Sequence, residues 1–128
     1  MKLKCVGRDR IEREFDLHIQ ASAGDYPRFV LTHPSILDGF FELILKPLSD
    51  RTHMVMAMNA HVTYGGYGIP DAIIPFAANY LSTELRSSPT ISACGNFWRT
   101  REATNAWERL VTAGKAEYIK GEDVYRVV

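Results

Sequence analysis

The chain has 128 residues and 46% of them are hydrophobic, which suits one domain with a real core and is too little for a large multidomain enzyme. Fifteen Lys and Arg residues balance fifteen Asp and Glu residues, so no net charge attracts the chain to nucleic acid or to an anionic membrane. Two cysteines are too few for a disulfide scaffold or a four-thiolate zinc site, and we expect reduced thiols and a cytoplasmic location. No apolar segment follows the basic N-terminus, and no apolar stretch approaches about 18 residues, so we expect neither a signal peptide nor a membrane span.

Charged residues are unevenly distributed along the chain. Residues 52–83 contain no Lys or Arg and a single acidic residue, whereas both flanking parts carry many charges of both signs. No repeat, low-complexity tract or linker separates these parts. We therefore expect residues 1–128 to form a single compact unit, with a strand-rich half at residues 1–69 and a second half at residues 70–128.

Short strands are predicted in the first part of the chain. Apolar and polar residues alternate over residues 2–6 and 15–21, the period of a strand with one buried face. Gly24, Asp25 and Pro27 then predict a turn, and residues 28–32 form a third short strand.

A helix and a central strand are predicted next. Residues 34–47 carry apolar residues at helical spacing between two prolines, which favours one helix. Its apolar residues are Ile36, Leu37, Phe40, Phe41, Ile44 and Leu45. Residues 52–64 alternate and nearly lack charge, which predicts a central strand that is covered on both faces. Glycines at 65, 66 and 68 end this strand, and a second helix is predicted over residues 75–86.

The last third of the chain shows a regular succession of helix and strand signals. Thr90 and Thr100 are good N-caps, and each begins a predicted helical segment. The inward stripe of the second segment is Ala103, Trp107 and Leu110. Gly114 is in position to end that helix, and strands are predicted over residues 116–119 and 124–127. We expect Phe97 to be buried together with this stripe.

This order of helix, turn, helix, glycine, strand, turn and strand resembles a winged helix-turn-helix domain, over residues 70–128. The resemblance makes residues 75–86 the first of three helices and residues 100–113 the recognition helix. The chain departs from the family in its inter-helix turn, where bulky side chains at residues 96–99 replace small ones. The predicted fold class is α+β, with a strand-rich N-terminal layer that contains one helix, followed by winged-helix-like helices and a β-hairpin.

The resemblance implies a DNA-binding regulator. Arg101 and Asn105 have the chemistry to read guanine and adenine edges, and Lys115 and Lys120 lie where a wing meets phosphates. The full set of expected DNA-binding residues is Arg99, Thr100, Arg101, Asn105, Arg109, Lys115, Lys120 and Arg126. One weakly charged recognition helix gives little affinity, so a homodimer is expected.

A protein-binding role is the alternative, because the chain has no net charge. It describes an inhibitor or adaptor of the kind found in phages and mobile elements, without contact to nucleic acid. Tyr64 and Tyr67 are its candidate interaction residues, as an exposed aromatic patch, since tyrosine is favoured at protein interfaces.

A small hydrolase or transferase is the third alternative, and its site is not evident from the sequence. The four histidines lack metal-ligand spacing, and no nucleophile elbow is present. The loop at residues 65–68 lacks the Lys-Ser/Thr of a phosphate-binding P-loop, and Asp71 places a negative charge beside it, so we interpret the loop as a hinge. We therefore assign no catalytic residue, metal ligand or cofactor, and expect binding rather than turnover.

Overall fold

The computed structural model describes residues 1–21, 26–49, 51–90 and 99–128. Within them the chain forms an α+β fold, in which eight strands make one mixed sheet and two α-helices accompany it. The strands are β1 (Lys2–Val6), β2 (Glu12–Gln20), β3 (Arg28–His33), β4 (Ile36–Ser49), β5 (Thr52–Ala60), β6 (Glu84–Arg86), β7 (Ala116–Ile119) and β8 (Val124–Val127), and the helices are α1 (Ile69–Tyr80) and α2 (Arg101–Thr112). No helix in this part of the chain is long and apolar enough to cross a membrane.

The strand order is β1-β2-β3-β4-β5-β6-β8-β7. Strands β1 to β5 form an antiparallel meander, and β6 pairs in parallel with β5. Because parallel neighbours need a crossover connection, the chain leaves β5, forms α1 and returns as β6. Strand β8 then pairs antiparallel to both β6 and β7, so a single sheet passes through both halves of the chain.

Alternating burial creates the core face of the meander. Phe15 and Leu17 of β2 are buried, and Leu17 lies opposite Leu31 of β3. Leu31 in turn lies opposite Phe41 of β4, so buried side chains line one face from strand to strand. Helix α1 covers this face with Ile73 and its neighbours, which belong to the same core cluster. The strands predicted over residues 2–6, 15–21 and 28–32 are present as β1, β2 and β3, but β2 begins three residues earlier than predicted, at Glu12.

The helix predicted over residues 34–47 is wrong, because this segment is strand β4. Phe41, Leu43 and Leu45 are almost inaccessible to solvent, which is the two-residue period of a strand. Gly39 has φ 85°, a backbone conformation that no α-helix accommodates. A continuous apolar run satisfies the helical spacing and the strand spacing at once, and pairing with β3 and β5 decides for the strand.

The second predicted helix has the wrong bounds. Helix α1 begins at Ile69 and contains Pro75, where the prediction began, and it ends before β6, where the prediction placed more helix. Ile69, Ile73 and Ala77 are spaced four residues apart and are fully buried. Burial of this stripe outweighs the hydrogen bond that Pro75 cannot donate.

Strand β5 lies between β4 and β6, as predicted, but it is not covered on both faces, since Val55 is the one buried residue among its nine. It is shorter than the predicted residues 52–64, because it ends at Ala60 and a 3-10 turn, Val62–Tyr64, follows. This turn leads directly into the glycine loop, residues 65–68.

Helix α2 and the two strands after it form where the sequence predicts them, whereas the complete winged-helix arrangement is not shown by the described residues. The hydroxyl oxygen of Thr100 accepts a hydrogen bond from the amide of Ala103 at 3.2 Å, so it caps α2, and Gly114 follows the helix at φ 75°. Trp107 and Leu110 are buried as expected. Both predicted terminal strands are present as β7 and β8. The first predicted segment after Thr90, the bulky turn and Phe97 lie outside the described residues.

Candidate functional site

The parallel pair β5–β6 is short and opens toward its carboxyl end. Only Thr52 to Met54 of β5 are paired with Glu84 to Arg86 of β6. The next residue, Ser87, donates its amide to the carbonyl oxygen of Tyr125 in β8 at 2.8 Å, so the chain turns away from β5. Among the described residues, β5 therefore has no strand partner on this side from residue 55 onward.

A groove follows this edge of β5, which no described strand covers. It has a volume of about 220 Å³ and is bordered on the far side by the start of α2. Its lining residues are Val55, Met56, Ala57, Met58, Asn59, Ser88, Arg99, Thr100 and Ala103. We call it the strand-edge groove.

A larger cleft lies where β5 ends. Its volume is about 380 Å³, and the glycine loop forms part of its wall. The lining residues outside the loop are Val6, Gly7, Arg8, Phe41, Ala60, Tyr64, Pro70, Asp71, Glu102, Asn105 and Arg109. Residues 55–59 of β5 line the groove and Ala60 lines this glycine-loop cleft, so the two depressions succeed each other along one strand.

The glycine loop is held against the end of β1 by backbone contacts. A Cβ atom on Gly68, which has φ 74°, would lie 1.9 Å from the carbonyl oxygen of Val6. The amide of Arg8 donates a 2.9 Å hydrogen bond to the carbonyl oxygen of Gly66. By contrast, a Cβ atom on Gly65 would meet only the carbonyl oxygen of Val62, at 3.5 Å, so this part of the loop has open space beside it. Glycine is thus required at position 68 by contact and φ and at position 66 by its φ of 82°, and at position 65 it leaves room for close approach.

The acidic residue beside the loop is neutralised. Arg109 of α2 donates to both carboxylate oxygens of Asp71 in the first turn of α1, at 2.9–3.1 Å. This hydrogen bonding raises the pKa of Arg109 above its ordinary value. The negative charge at Asp71, which in the sequence disfavours an anion site, is therefore paired within the fold.

Arg99 was expected to contact DNA, and it lies inside the protein. It is 7% exposed, and its guanidinium group donates five hydrogen bonds. The acceptors are the Ser87 hydroxyl, the Ser88 carbonyl, the Thr104 hydroxyl, and both the carbonyl and the carboxylate of Asp123. Its guanidinium carbon also lies 4.8 Å from the centre of the Tyr125 ring.

The other expected DNA-binding residues fall into two groups. Arg109 and Arg126 are ion-paired, Arg126 with Glu84 and Glu117. The other five are exposed: Thr100, Arg101, Asn105, Lys115 and Lys120. Thr100 caps α2, and the side chains of the remaining four make no hydrogen bond or ion pair with other described residues. Asn105 also lines the glycine-loop cleft, so α2 brings only part of the predicted set to one surface.

The predicted aromatic patch at Tyr64 and Tyr67 is wrong for Tyr64, which is 2% exposed. Its hydroxyl accepts a hydrogen bond from the amide of His33 at 3.1 Å and donates one to the carbonyl of Ile36 at 3.4 Å, so it fixes the start of β4. Tyr67 is half-buried, with its ring centre 5.8 Å from that of Phe15. Apolar packing against β2 draws both rings inward.

Other reactive groups in the described residues do not form a second site. No cluster of three or more His, Cys, Asp or Glu residues there has the geometry to hold a metal ion. Cys5 is buried, and burial raises the pKa of its thiol to about 12, which keeps it protonated. His53 hydrogen-bonds to the Thr83 hydroxyl at 2.6 Å where β5 and β6 begin, and burial lowers its pKa.

The cleft joins residues that the sequence analysis did not connect. Arg8 follows β1, Ala60 ends β5 and Glu102 lies on α2, and no spacing rule relates these three residues. The sequence signal that could have indicated this cleft is the glycine run between a strand and a helix, which we interpret from the sequence as a hinge. Whether the loop acts as a hinge stays a prediction. Comparisons of the chain with models of protein families, with curated proteins and with solved structures find no match.

Proposed function

We propose that this protein binds a ligand of the coenzyme A class, with its diphosphate at the glycine loop and its extended arm in the strand-edge groove. The observation that carries the proposal is the separation of β5 and β6 after three residue pairs, above a glycine loop that leads into α1. In sheets with parallel strands, ligands bind outside the carboxyl ends of the strands, where the chain diverges to leave a crevice.

The glycine-loop cleft suits a phosphate-bearing group. Its volume of about 380 Å³ lies in the range of small-molecule sites. Glycine-rich connections from a strand to a helix let phosphate oxygens approach backbone amides closely. The pairing of Asp71 with Arg109 neutralises one of the two carboxylates that line the cleft, the other being Glu102.

The strand-edge groove suits an extended arm with amide groups. From residue 55 to its end at residue 60, β5 offers about 20 Å of edge at the rise of a strand. Free backbone groups on such an edge bind extended chains through alternating hydrogen bonds. A pantetheine arm is a linear chain with two amide groups and fits such an edge. A simple nucleotide has no extended arm that would occupy the groove.

This proposal develops the transferase alternative. A thioester at the end of the arm lies beside the β5 backbone, whose amides are suited to stabilise the oxyanion that forms when an amine attacks the thioester carbon. Acyl transfer is therefore the reaction class to assay after binding is measured.

Isothermal titration calorimetry with coenzyme A, ADP and pantetheine tests the proposal. Coenzyme A is expected to bind more tightly than either fragment, because only it occupies both depressions. Ala60→Phe fills the cleft from an exposed position at the end of β5 and should abolish binding, whereas Ala60→Ser is the matched control. Equal unfolding midpoints for both variants exclude misfolding. Absence of coenzyme A binding at millimolar concentration contradicts the proposal.

DNA binding through a winged-helix-like C-terminal half is the second candidate. It is supported by the sheet order β6-β8-β7, in which β6 lies between α1 and α2 in the chain and β7 and β8 follow α2, and by the exposed position of Arg101 on α2. Arg101, Lys115 and Lys120 give three uncommitted cations among the described residues, which predicts a slope of log K against log salt near about −2.7. Fluorescence anisotropy on random duplexes at several salt concentrations measures this slope, and no binding at low salt rules the candidate out.

A further inference from the structure

We infer that Arg8, at the turn after β1, grips the diphosphate over the glycine loop and selects phosphate-bearing ligands. The inference rests on the proposed function and adds to it a binding residue from the N-terminal part of the chain. Three observations support it: the fixed position of the Arg8 backbone, the path of its side chain, and the pairing of the neighbouring charges.

Backbone hydrogen bonds fix Arg8 beside the loop. Its amide donates to the carbonyl of Gly66 at 2.9 Å. The turn that carries Arg8 is closed by two more hydrogen bonds, from the amide of Gly7 to the carbonyl of Ile11 at 3.1 Å and from the amide of Arg10 to the carbonyl of Gly7 at 2.9 Å. A Cβ atom on Gly7 would lie 2.9 Å from the Gly66 carbonyl oxygen, so the two segments touch backbone to backbone.

The side chain of Arg8 runs over the loop. The atom nearest to a Cβ built on Gly66 is Cδ of Arg8, at 3.9 Å. The aliphatic stem therefore covers Gly66, and Arg8 lines the glycine-loop cleft. A guanidinium group at the end of this stem is positioned for bidentate hydrogen bonds to phosphate oxygens.

The acidic residue next to Arg8 in the sequence does not neutralise it. Asp9 is bound by Arg13, with Nη1 to Oδ1 at 3.2 Å and Nη2 to Oδ2 at 2.8 Å. Asp71 is bound by Arg109. Among the described residues, Arg8 has no ion-pair partner, so it is the uncommitted cation of the cleft; Glu102 is the acidic residue that accompanies it.

The test compares Arg8→Gln with Arg10→Gln. Arg10 is exposed in the same turn and does not line the cleft, so its substitution removes the same charge at nearly the same place. Coenzyme A, inorganic pyrophosphate and pantetheine are titrated into each variant and into the unmodified protein at two salt concentrations. Circular dichroism melting curves verify that all the proteins are folded.

Arg8→Gln is expected to weaken coenzyme A and pyrophosphate binding by about 10-fold to 100-fold, the effect of losing charge-assisted hydrogen bonds. Pantetheine binding should not change, Arg10→Gln should bind as the unmodified protein does, and Arg8→Lys should recover part of the affinity. The salt dependence of coenzyme A binding should decrease in Arg8→Gln.

Two results would overturn the inference, and they differ in what they say about the proposed function. If the unmodified protein binds coenzyme A and Arg8→Gln binds it equally well, the role of Arg8 is refuted and the binding function stands. If the unmodified protein binds neither coenzyme A nor pyrophosphate, both are refuted.

Discussion

Arg99 gives the sharpest test of the fold, because its predicted DNA role and its observed environment lead to opposite results. Arg99→Met keeps most of the side-chain volume and removes all five hydrogen bonds. The carbonyls of Ser88 and Asp123 lose a donor, at a cost of about 1–1.5 kcal/mol each. The Asp123 carboxylate, which is 36% exposed, loses its ion pair but keeps hydrogen bonds from Thr90 and Tyr118, so this loss adds only about 1 kcal/mol. We expect a total loss of about 3–4 kcal/mol in the free energy of unfolding.

Urea denaturation followed by tryptophan fluorescence measures this loss, and Arg101→Met is the control. Arg101 is exposed on α2 and makes no hydrogen bond or ion pair with other described residues, so its substitution should change stability by less than about 0.5 kcal/mol. If Arg99→Met is as stable as Arg101→Met, the buried network does not stabilise the fold and the reasoning is refuted. A loss of DNA binding in a fully stable Arg99→Met protein would instead restore the original prediction.

Three further predictions concern the C-terminal half. Trp107→Ala should lower the free energy of unfolding by about 3–5 kcal/mol in urea denaturation, since Trp107 is 1% exposed and stacks on Tyr125 at 6.0 Å between ring centres. A smaller loss of stability than an alanine substitution causes at an exposed position of α2 would contradict this packing. Gly114→Val should cost at least about 1 kcal/mol because of φ 75°, and Gly121→Val, with equal space and no positive φ, should cost less. Hydrogen bonds from Thr90 hold the pKa of Asp123 well below its usual range, so the stability that this carboxylate contributes is complete above about pH 4 and is lost as the pH falls further. Asp123→Asn should therefore be less stable than the unmodified protein at about pH 7 and lose less stability in acid. If the stability of both proteins falls equally below about pH 4, the prediction is refuted.

Elements with local signals could be predicted from the sequence. Helix α2 has a capping threonine, an apolar stripe and a glycine at its end, and each acts within one or two turns. Strands β7 and β8 are separated by a short polar turn that closes the hairpin. None of these features depends on distant parts of the chain.

The errors arose where tertiary contacts decide the conformation. In β4, apolar residues on both faces satisfy two periodicities, and only pairing with β3 and β5 selects the strand. In α1, Pro75 suggests a helix start, but the helix begins six residues earlier, at Ile69, because the apolar stripe from Ile69 to Ala77 is buried in the core. Burial of Arg99 was equally hidden, because most of its acceptors lie on two other segments of the chain, at Ser87 and Ser88 and at Asp123.

The parallel pairing of β5 with β6 is what separates the two proposed functions. In a free-standing winged helix the strand that follows the first helix is an edge, whereas here β6 is paired on both sides, so the C-terminal strands continue the N-terminal sheet. Helix α2 is thereby held facing the end of β5, and its Asn105 lines the same cleft as Arg8. A recognition helix needs its outer face free for a major groove about 12 Å wide. Because part of that face is turned toward the cleft and two neighbouring arginines are ion-paired or buried, the geometry favours a small ligand held between the halves over DNA held against one of them.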